Sequence, residues 1–139
     1  MKAAVVYWSG TGNTAAMADL VAEGARNAGA DVSVFTSAEF NSGMMSGFQA
    51  VAFGCPAMGA EVLEELEMEP FVEDVEGFAQ GKTIALFGSY GWGDGQWMRD
   101  WEERCGNAGI TLAADSVTAN DAPDDEAVAA CKELGAALA

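Results

Sequence analysis

Ser9-Gly10-Thr11-Gly12-Asn13-Thr14 sets four hydroxyl or amide side chains among two glycines. The apolar run Ala3-Ala4-Val5-Val6-Tyr7-Trp8 leads into it. A helical pattern leads out, with Met17, Leu20 and Val21 on one side and Asp19 and Glu23 on the other. Strand, tight loop, then helix is the layout of a phosphate-binding site, because loop amides and the helix dipole converge on one anion. No Lys or Arg lies between Lys2 and Arg26, so a phosphate here is held by neutral donors. Four polar side chains suit a terminal phosphate monoester, whereas a pyrophosphate needs bare backbone alongside it. Gly10 to Ala15 also fits the dinucleotide pattern GxGxx(G/A). That reading wants an acid at the end of the next strand, where Thr36-Ser37 stands and Glu39 comes late. The nucleotide-hydrolase loop is excluded, since no GK(S/T) follows.

Two further loops carry the same kind of chemistry. Cys55-Pro56-Ala57-Met58-Gly59-Ala60-Glu61 and Ser89-Tyr90-Gly91-Trp92-Gly93-Asp94 each follow an apolar run directly. Their only charges are acidic. Met58, Tyr90 and Trp92 offer flat or polarizable surfaces. Gly91 and Gly93 beside the aromatics make a poor core strand and a good exposed stacking platform. Together the three loops describe a site for a flat apolar ring with a phosphate tail. Trp97 and Trp101, one helical turn apart, read as packing residues, and Trp8 as packing beside the first loop. The chain has no His, so a Ser-His-Asp triad is impossible. Cys55, Cys105 and Cys131 have no metal-ligand spacing, and Cys105 and Cys131 read as buried thiols on helices.

The elements that must position these loops are legible as alternating runs. Strands are expected at 3–7, 32–36, 49–54, 83–88 and 110–117. Helices are expected at 14–28, 70–80, 96–107 and 124–138, among about five in all. Near-continuous apolar strands alternating with helices imply a doubly wound, five-stranded parallel sheet covered on both faces. The ligand of such a sheet sits beyond the strands' carboxyl ends, which brings the three loops to one edge.

Length and composition bound the rest. The 139 residues form a single domain, 1–139, with half of them hydrophobic. No signal segment or run long enough to cross a bilayer is apparent, which points to the cytoplasm. A net charge of −16 makes nucleic acid and anionic membranes poor partners and favours a monomer. Eight acids between Glu61 and Glu76, with no base among them, point to steering of a protein partner that has a basic patch.

SGTGNT, GCPAMGAEVLEE and ALFGSYGWGDGQWMRDWEER, in that order, closely resemble the motifs of short-chain bacterial flavodoxins. The resemblance covers essentially the whole chain. It implies a 2-1-3-4-5 sheet, one noncovalent FMN and a low-potential electron carrier working one electron at a time, between semiquinone and hydroquinone. It implies a phosphate loop at Ser9, Gly10, Thr11, Gly12, Asn13 and Thr14. The ring-binding loop would be Pro56, Ala57, Met58, Gly59, Ala60 and Glu61, with Met58 on one flavin face and Glu61 at N3. The other face would fall to Ser89, Tyr90, Gly91, Trp92 and Gly93, with Trp92 stacked, and Asn120 would approach the ring edge. The Gly59–Ala60 peptide would turn over on one-electron reduction and accept a hydrogen bond from N5. The family's partners are reductases and other oxidoreductases, including hydrogenase and nitrogenase. Two departures stand out: Ala60 replaces a polar residue, and the Asp121-Ala122-Pro123 spacing differs.

Two other classes fit the same loops. A small FMN-dependent reductase, of a quinone for example, would need substrate room over the flavin. An FMN storage module would need no hinge at Gly59.

Overall fold

The computed structural model describes residues 1–59 and 61–139, so the expectations for Ala60 lie outside the described residues. The elements run β1 (Lys2–Tyr7), α1 (Asn13–Asn27), β2 (Asp31–Thr36), β3 (Ala50–Gly54), α2 (Met68–Val75), β4 (Thr83–Tyr90), α3 (Gln96–Asn107), β5 (Val117–Asn120) and α4 (Asp125–Ala136). Short 3-10 segments occupy Ser37–Glu39, Ser42–Gly47 and Glu76–Phe78. The strands pair in the order β2-β1-β3-β4-β5, all parallel, which is the expected doubly wound sheet.

The sheet has two cores because successive strand side chains point to opposite faces. Ala4, Val6, Val51, Phe53 and Leu86 meet Phe71 and Val72 of α2 and Trp97 and Trp101 of α3. Ala3, Val5, Ala52 and Phe87 meet Met17 and Val21 of α1 and Cys131 and Leu134 of α4. On that second face α1 and α4 touch backbone to backbone. A Cβ on Gly24 would fall 2.1 Å from the Lys132 carbonyl oxygen, and one on Gly135 2.0 Å from that of Val21. The chain reverses direction across the sheet between β1 and β3, which is the switch point where the first two loops emerge.

The structure corrects several boundaries. The last strand is Val117–Asn120 and not 110–117. Leu112 makes a single bridge to Ile84, while the next paired residue of β4, Phe87, faces Val117. Two extra residues therefore bulge out between them. The apolar run from Ile110 reports burial, not ladder pairing: Ile110 is buried in the core outside any strand. Helix α2 is 68–75 and not 70–80. It starts early because a carboxylate holds its first amides, and it tightens to 3-10 geometry at Glu76–Phe78. The described residues hold four α-helices, and the remaining helical segments are the short 3-10 turns.

Trp97, Trp101, Cys105 and Cys131 are buried, as expected. Burial pushes the Cys55 thiol up to about 12 and those of Cys105 and Cys131 up to about 11, which leaves them unreactive at neutral pH. Among the described residues no helix is long and apolar enough to cross a membrane.

Candidate functional site

The first loop begins where β1 stays beside β3 for one residue more, with the Trp8 amide donating to the Gly54 carbonyl at 3.0 Å. Gly12 then enters α1 in the left-handed region, at φ 96°. No side chain caps this fifteen-residue helix, and its first turn carries no acid. Its leading amides are thus left for an anion, with the dipole's positive end behind them. The Ser9 hydroxyl accepts from the Gly12 amide at 3.1 Å and closes the loop on itself. The Trp8 ring lies against Gly10, where a Cβ would come within 3.2 Å of it.

Thr14 differs from its neighbours. It is buried, and its hydroxyl shares a 2.9 Å hydrogen bond with that of Ser89. The Ser89 amide approaches the same oxygen at 3.4 Å. Thr14 therefore faces the interior and ties the first loop to β4, while Ser9, Thr11 and Asn13 stay at the surface.

The second loop is a tight hairpin. Met58 and Val62 exchange two backbone hydrogen bonds, of 2.8 and 2.9 Å. Gly59 takes φ 51° and Glu61 φ 55°, both left-handed. A Cβ on Gly59 would meet nothing within 4 Å, so only backbone strain opposes a side chain there. Pro56 and Ala57 still follow β4, through the Ala57 amide to the Ser89 carbonyl at 3.0 Å.

Strand β4 runs to Tyr90, so the third loop starts at Gly91. Ser89 is buried inside the strand. Tyr90 is its half-buried last residue, its ring tilted on Trp97 at 5.5 Å. The expected platform of two aromatics in a turn reduces to one, Trp92, which is 61% exposed. Asn120 stands opposite Tyr90 at the end of β5, and the Asp121 amide donates to the Tyr90 carbonyl at 2.8 Å. All three loops thus meet at one sheet edge.

Two carboxylates join these pieces, and this the sequence did not reveal. Glu61 accepts from the Asp94 amide at 3.2 Å and from the Gln96 amide at 2.7 Å, so it bridges the second loop to the start of α3. A Cβ on Gly93 would collide with the same carboxylate. Glu64 is buried and accepts from the amides of Leu66, Glu67 and Met68 at 2.6, 2.8 and 3.0 Å. Burial alone would raise its pKa, but the three N–H donors outweigh it and hold the group below the ordinary carboxylate value.

The acidic run is less uniform than its sequence suggests. A base reaches it from α3: Arg104 pairs with Glu69 at 2.5 Å and with Glu76 at 2.9 Å. Asp74 accepts from the amide and hydroxyl of Ser42. Among the described residues, only Glu65, Glu67 and Glu73 of the eight acids make no ion pair or hydrogen bond through their side chains. Sequence reading also missed Ser37 and Glu67 as walls of the cleft beside Trp8 to Gly12. The only signal for Ser37 was its place at the end of the second strand. A larger cleft than this one lies elsewhere, between β5 and α4. It carries Asp115, Asp124, Glu126 and Glu133, a lining that repels phosphate.

The donor set fits FMN: an uncapped helix start among neutral donors for a phosphate, and Met58 and Trp92 on two loops for a flat ring. The flavodoxin family model matches residues 5–135. The chain is 46% identical over 135 residues to a flavodoxin of Clostridium beijerinckii, covering 97% of each. It is 43% identical to that of Megasphaera elsdenii, covering 97% of this chain and 96% of the other. The solution structure of the two-electron reduced Megasphaera elsdenii flavodoxin superposes with a TM-score of 0.90, covering 98% of this chain and 97% of that one. An archaeal flavodoxin, 32% identical, superposes at 0.86, covering 99% and 96%. The sheet order, the three motifs and this full-length similarity agree, and the chain belongs to the flavodoxin family of FMN-binding electron carriers.

Proposed function

We propose that this protein shuttles single electrons at low potential between soluble redox proteins of the cytoplasm, as a monomer and without catalysing a reaction of its own. The observation that carries this reading is the uncapped N-terminus of α1 behind a charge-free loop. FMN supplies the ring that takes up and releases electrons one at a time. The chain's residues do the rest.

Ser9, Gly10, Thr11, Gly12 and Asn13 hold the phosphate with amides and neutral side chains. Thr14 acts from behind, fixing the loop to β4 through Ser89. Pro56 to Gly59 and Glu61 would hold the ring from one side and Ser89 to Gly93 from the other, with Met58 and Trp92 as the facing side chains and Asn120 nearby. A ring covered by both side chains would leave little room for a substrate, which disfavours a reductase. Gly59, already at φ 51°, is the hinge that lets a backbone carbonyl turn toward the ring. Glu61 spends two of its lone pairs on the Asp94 and Gln96 amides and keeps others for an N–H of the ring. Carboxylates at Glu61, Glu64 and Glu65, with Asp94 partly offset by its 2.9 Å ion pair to Arg99, disfavour added negative charge at the ring, which pushes the second electron's potential down. Glu65, Glu67 and Glu73 steer a partner with a basic patch, in the class of reductases and oxidoreductases that includes hydrogenase and nitrogenase.

Dithionite titration of the purified protein tests this. Two visible flavin bands should give way to a broad long-wavelength band before bleaching. Bleaching in a single two-electron step, or turnover of NAD(P)H with no partner protein present, would favour the reductase. A colourless protein that FMN cannot load would end the reading.

A further inference from the structure

Five large apolar side chains stand exposed among the described residues: Met1, Val62, Leu66, Phe78 and Trp92. Three of them belong to the loops at the site's edge. Leu66 is the most exposed, at 88%. Scattered surface leucines need no account, but this one has unusual surroundings.

It does not sit on a loose tip. The buried Glu64 carboxylate grips its amide and the two that follow, so a buried charge fixes the turn that presents it. Glu65 and Glu67 flank it, both exposed and unpaired among the described residues. It also borders the site. Glu67 lines the same cleft as Trp8 to Gly12. Val62, earlier in the loop, is bridged to Met58. An apolar side chain held out from a fixed turn between two exposed carboxylates has the form of an interface anchor with a charged rim.

We propose that Leu66 is the apolar anchor of the electron-transfer interface. Its partner is a protein with an apolar depression ringed by Lys and Arg. This rests on the electron-carrier reading above. The other occupants of such a surface fit less well. A second copy would bring another net −16 against this one, and a membrane surface rich in anionic lipid would be repelled. The flanking carboxylates set the approach and its salt dependence, while Leu66 sets how long each encounter lasts and so the fraction of encounters that pass an electron, which the second-order rate reads.

The test uses the FMN-loaded protein, reduced with dithionite, mixed with excess ferric cytochrome c in a stopped flow. Cytochrome c is chosen as a basic protein whose lysines surround an apolar haem edge. Each transfer oxidises the reduced flavin by one electron and takes haem iron from ferric to ferrous. Leu66→Ser should slow the second-order rate by ~3–10-fold at low and high salt alike, the size expected for losing one interface anchor. Leu66→Met should stay within about twofold of the parent, because it restores apolar bulk. Glu65→Gln with Glu67→Gln should instead flatten the salt dependence.

Leu66→Ser matching the parent across the salt series overturns the proposal. So does a slower Leu66→Ser whose FMN affinity or flavin potentials have also changed, because Leu66 would then serve the flavin and not the partner. A parent protein that binds FMN yet passes no electrons to cytochrome c overturns the electron-carrier reading itself.

Discussion

The two ends of the cleft are braced by opposite chemistry. The phosphate end is held by neutral groups: Ser9 to the Gly12 amide, and the buried Thr14 to Ser89. The ring end is held by carboxylates, Glu61 on two amides and Glu64 on three. Both perform the same mechanical task of fixing a loop to its neighbours. The difference follows from the ligand. A carboxylate brace tucked under a phosphate would repel it, so hydroxyls brace that end, and Glu67, which lines its cleft, braces nothing. At the ring end a negative charge is useful, because it makes the reduced flavin a stronger donor. Charge here is a choice of material dictated by what lies beside the brace.

Removing the strongest carboxylate brace should cause the largest loss. Glu64→Ala strands three amides gathered on one buried carboxylate, and hydrogen bonds to charged groups count for more than neutral ones. A destabilisation of about 3 kcal/mol at pH 7, read by urea unfolding, is expected. Because the folded group titrates below its ordinary value, its contribution is complete above pH 4.5. It is lost as pH falls from there through the lowered folded value. The gap between parent and Glu64→Ala should therefore narrow in acid. A gap independent of pH would show that the side chain's packing, and not its charge, holds the turn.

The neutral brace should matter less and show no such pH dependence. Thr14→Val keeps the shape but leaves the buried Ser89 hydroxyl without its partner, at a cost of about 1–3 kcal/mol. FMN affinity should fall with it, since the loop loses its anchor to β4. Fluorescence titration of the apoprotein with FMN measures this. Affinity unchanged beside a clear loss of stability would mean that the loop keeps its shape without the anchor.

The contrast between the braces also marks what the sequence could tell. The neutral end was legible, because Ser, Thr, Asn and Gly between a strand and a helix have few other uses. The parallel sheet and the edge where three loops meet followed from apolar runs whose lengths are set by burial, while the strand order came from the family resemblance. The carboxylate braces were not legible. In a run of eight acids nothing local distinguishes Glu64, turned inward on backbone amides, from Glu65, turned out to solvent. Arg104 reaches that run from 28 residues beyond Glu76, through a pairing that only the packing of α3 beside α2 creates. Thr14 and Ser89 are 75 residues apart. The shift of β5 to 117–120 has the same origin, since the apolar pattern at 110–114 records packing and says nothing of which residues join the ladder.

Gly59 belongs to neither brace and is the residue proposed as the hinge. A side chain there meets no atom, so the cost of Gly59→Ala is the backbone strain of a left-handed residue, about 1 kcal/mol. Where one flavin state needs the left-handed form more than another, that strain appears as a shift of about 40 mV for one electron. The yield of one-electron-reduced flavin should fall in a dithionite titration. An unchanged yield would remove Gly59 from the switching role.

The smallest effects should come from charges that brace nothing, and they sharpen the comparison most. Glu65, Glu67 and Glu73 hold no amide or cation among the described residues. Converting all three to Gln should leave stability within about 0.5 kcal/mol, as for ordinary surface substitutions. The second flavin potential should rise slightly, and more in dilute salt, because exposed charges are screened over about 10 Å at 0.1 M. Converting Glu69 and Glu76 removes as much formal charge per residue but also leaves Arg104 without its two partners, so α2 and the turn after it lose their tie to α3. If charge count alone governed the potential, the two sets would act alike per residue removed. If position and pairing govern it, the unpaired set should show the steeper salt dependence and the paired set the larger loss of stability. Potentials measured at two ionic strengths, beside urea unfolding of both variants, decide between them.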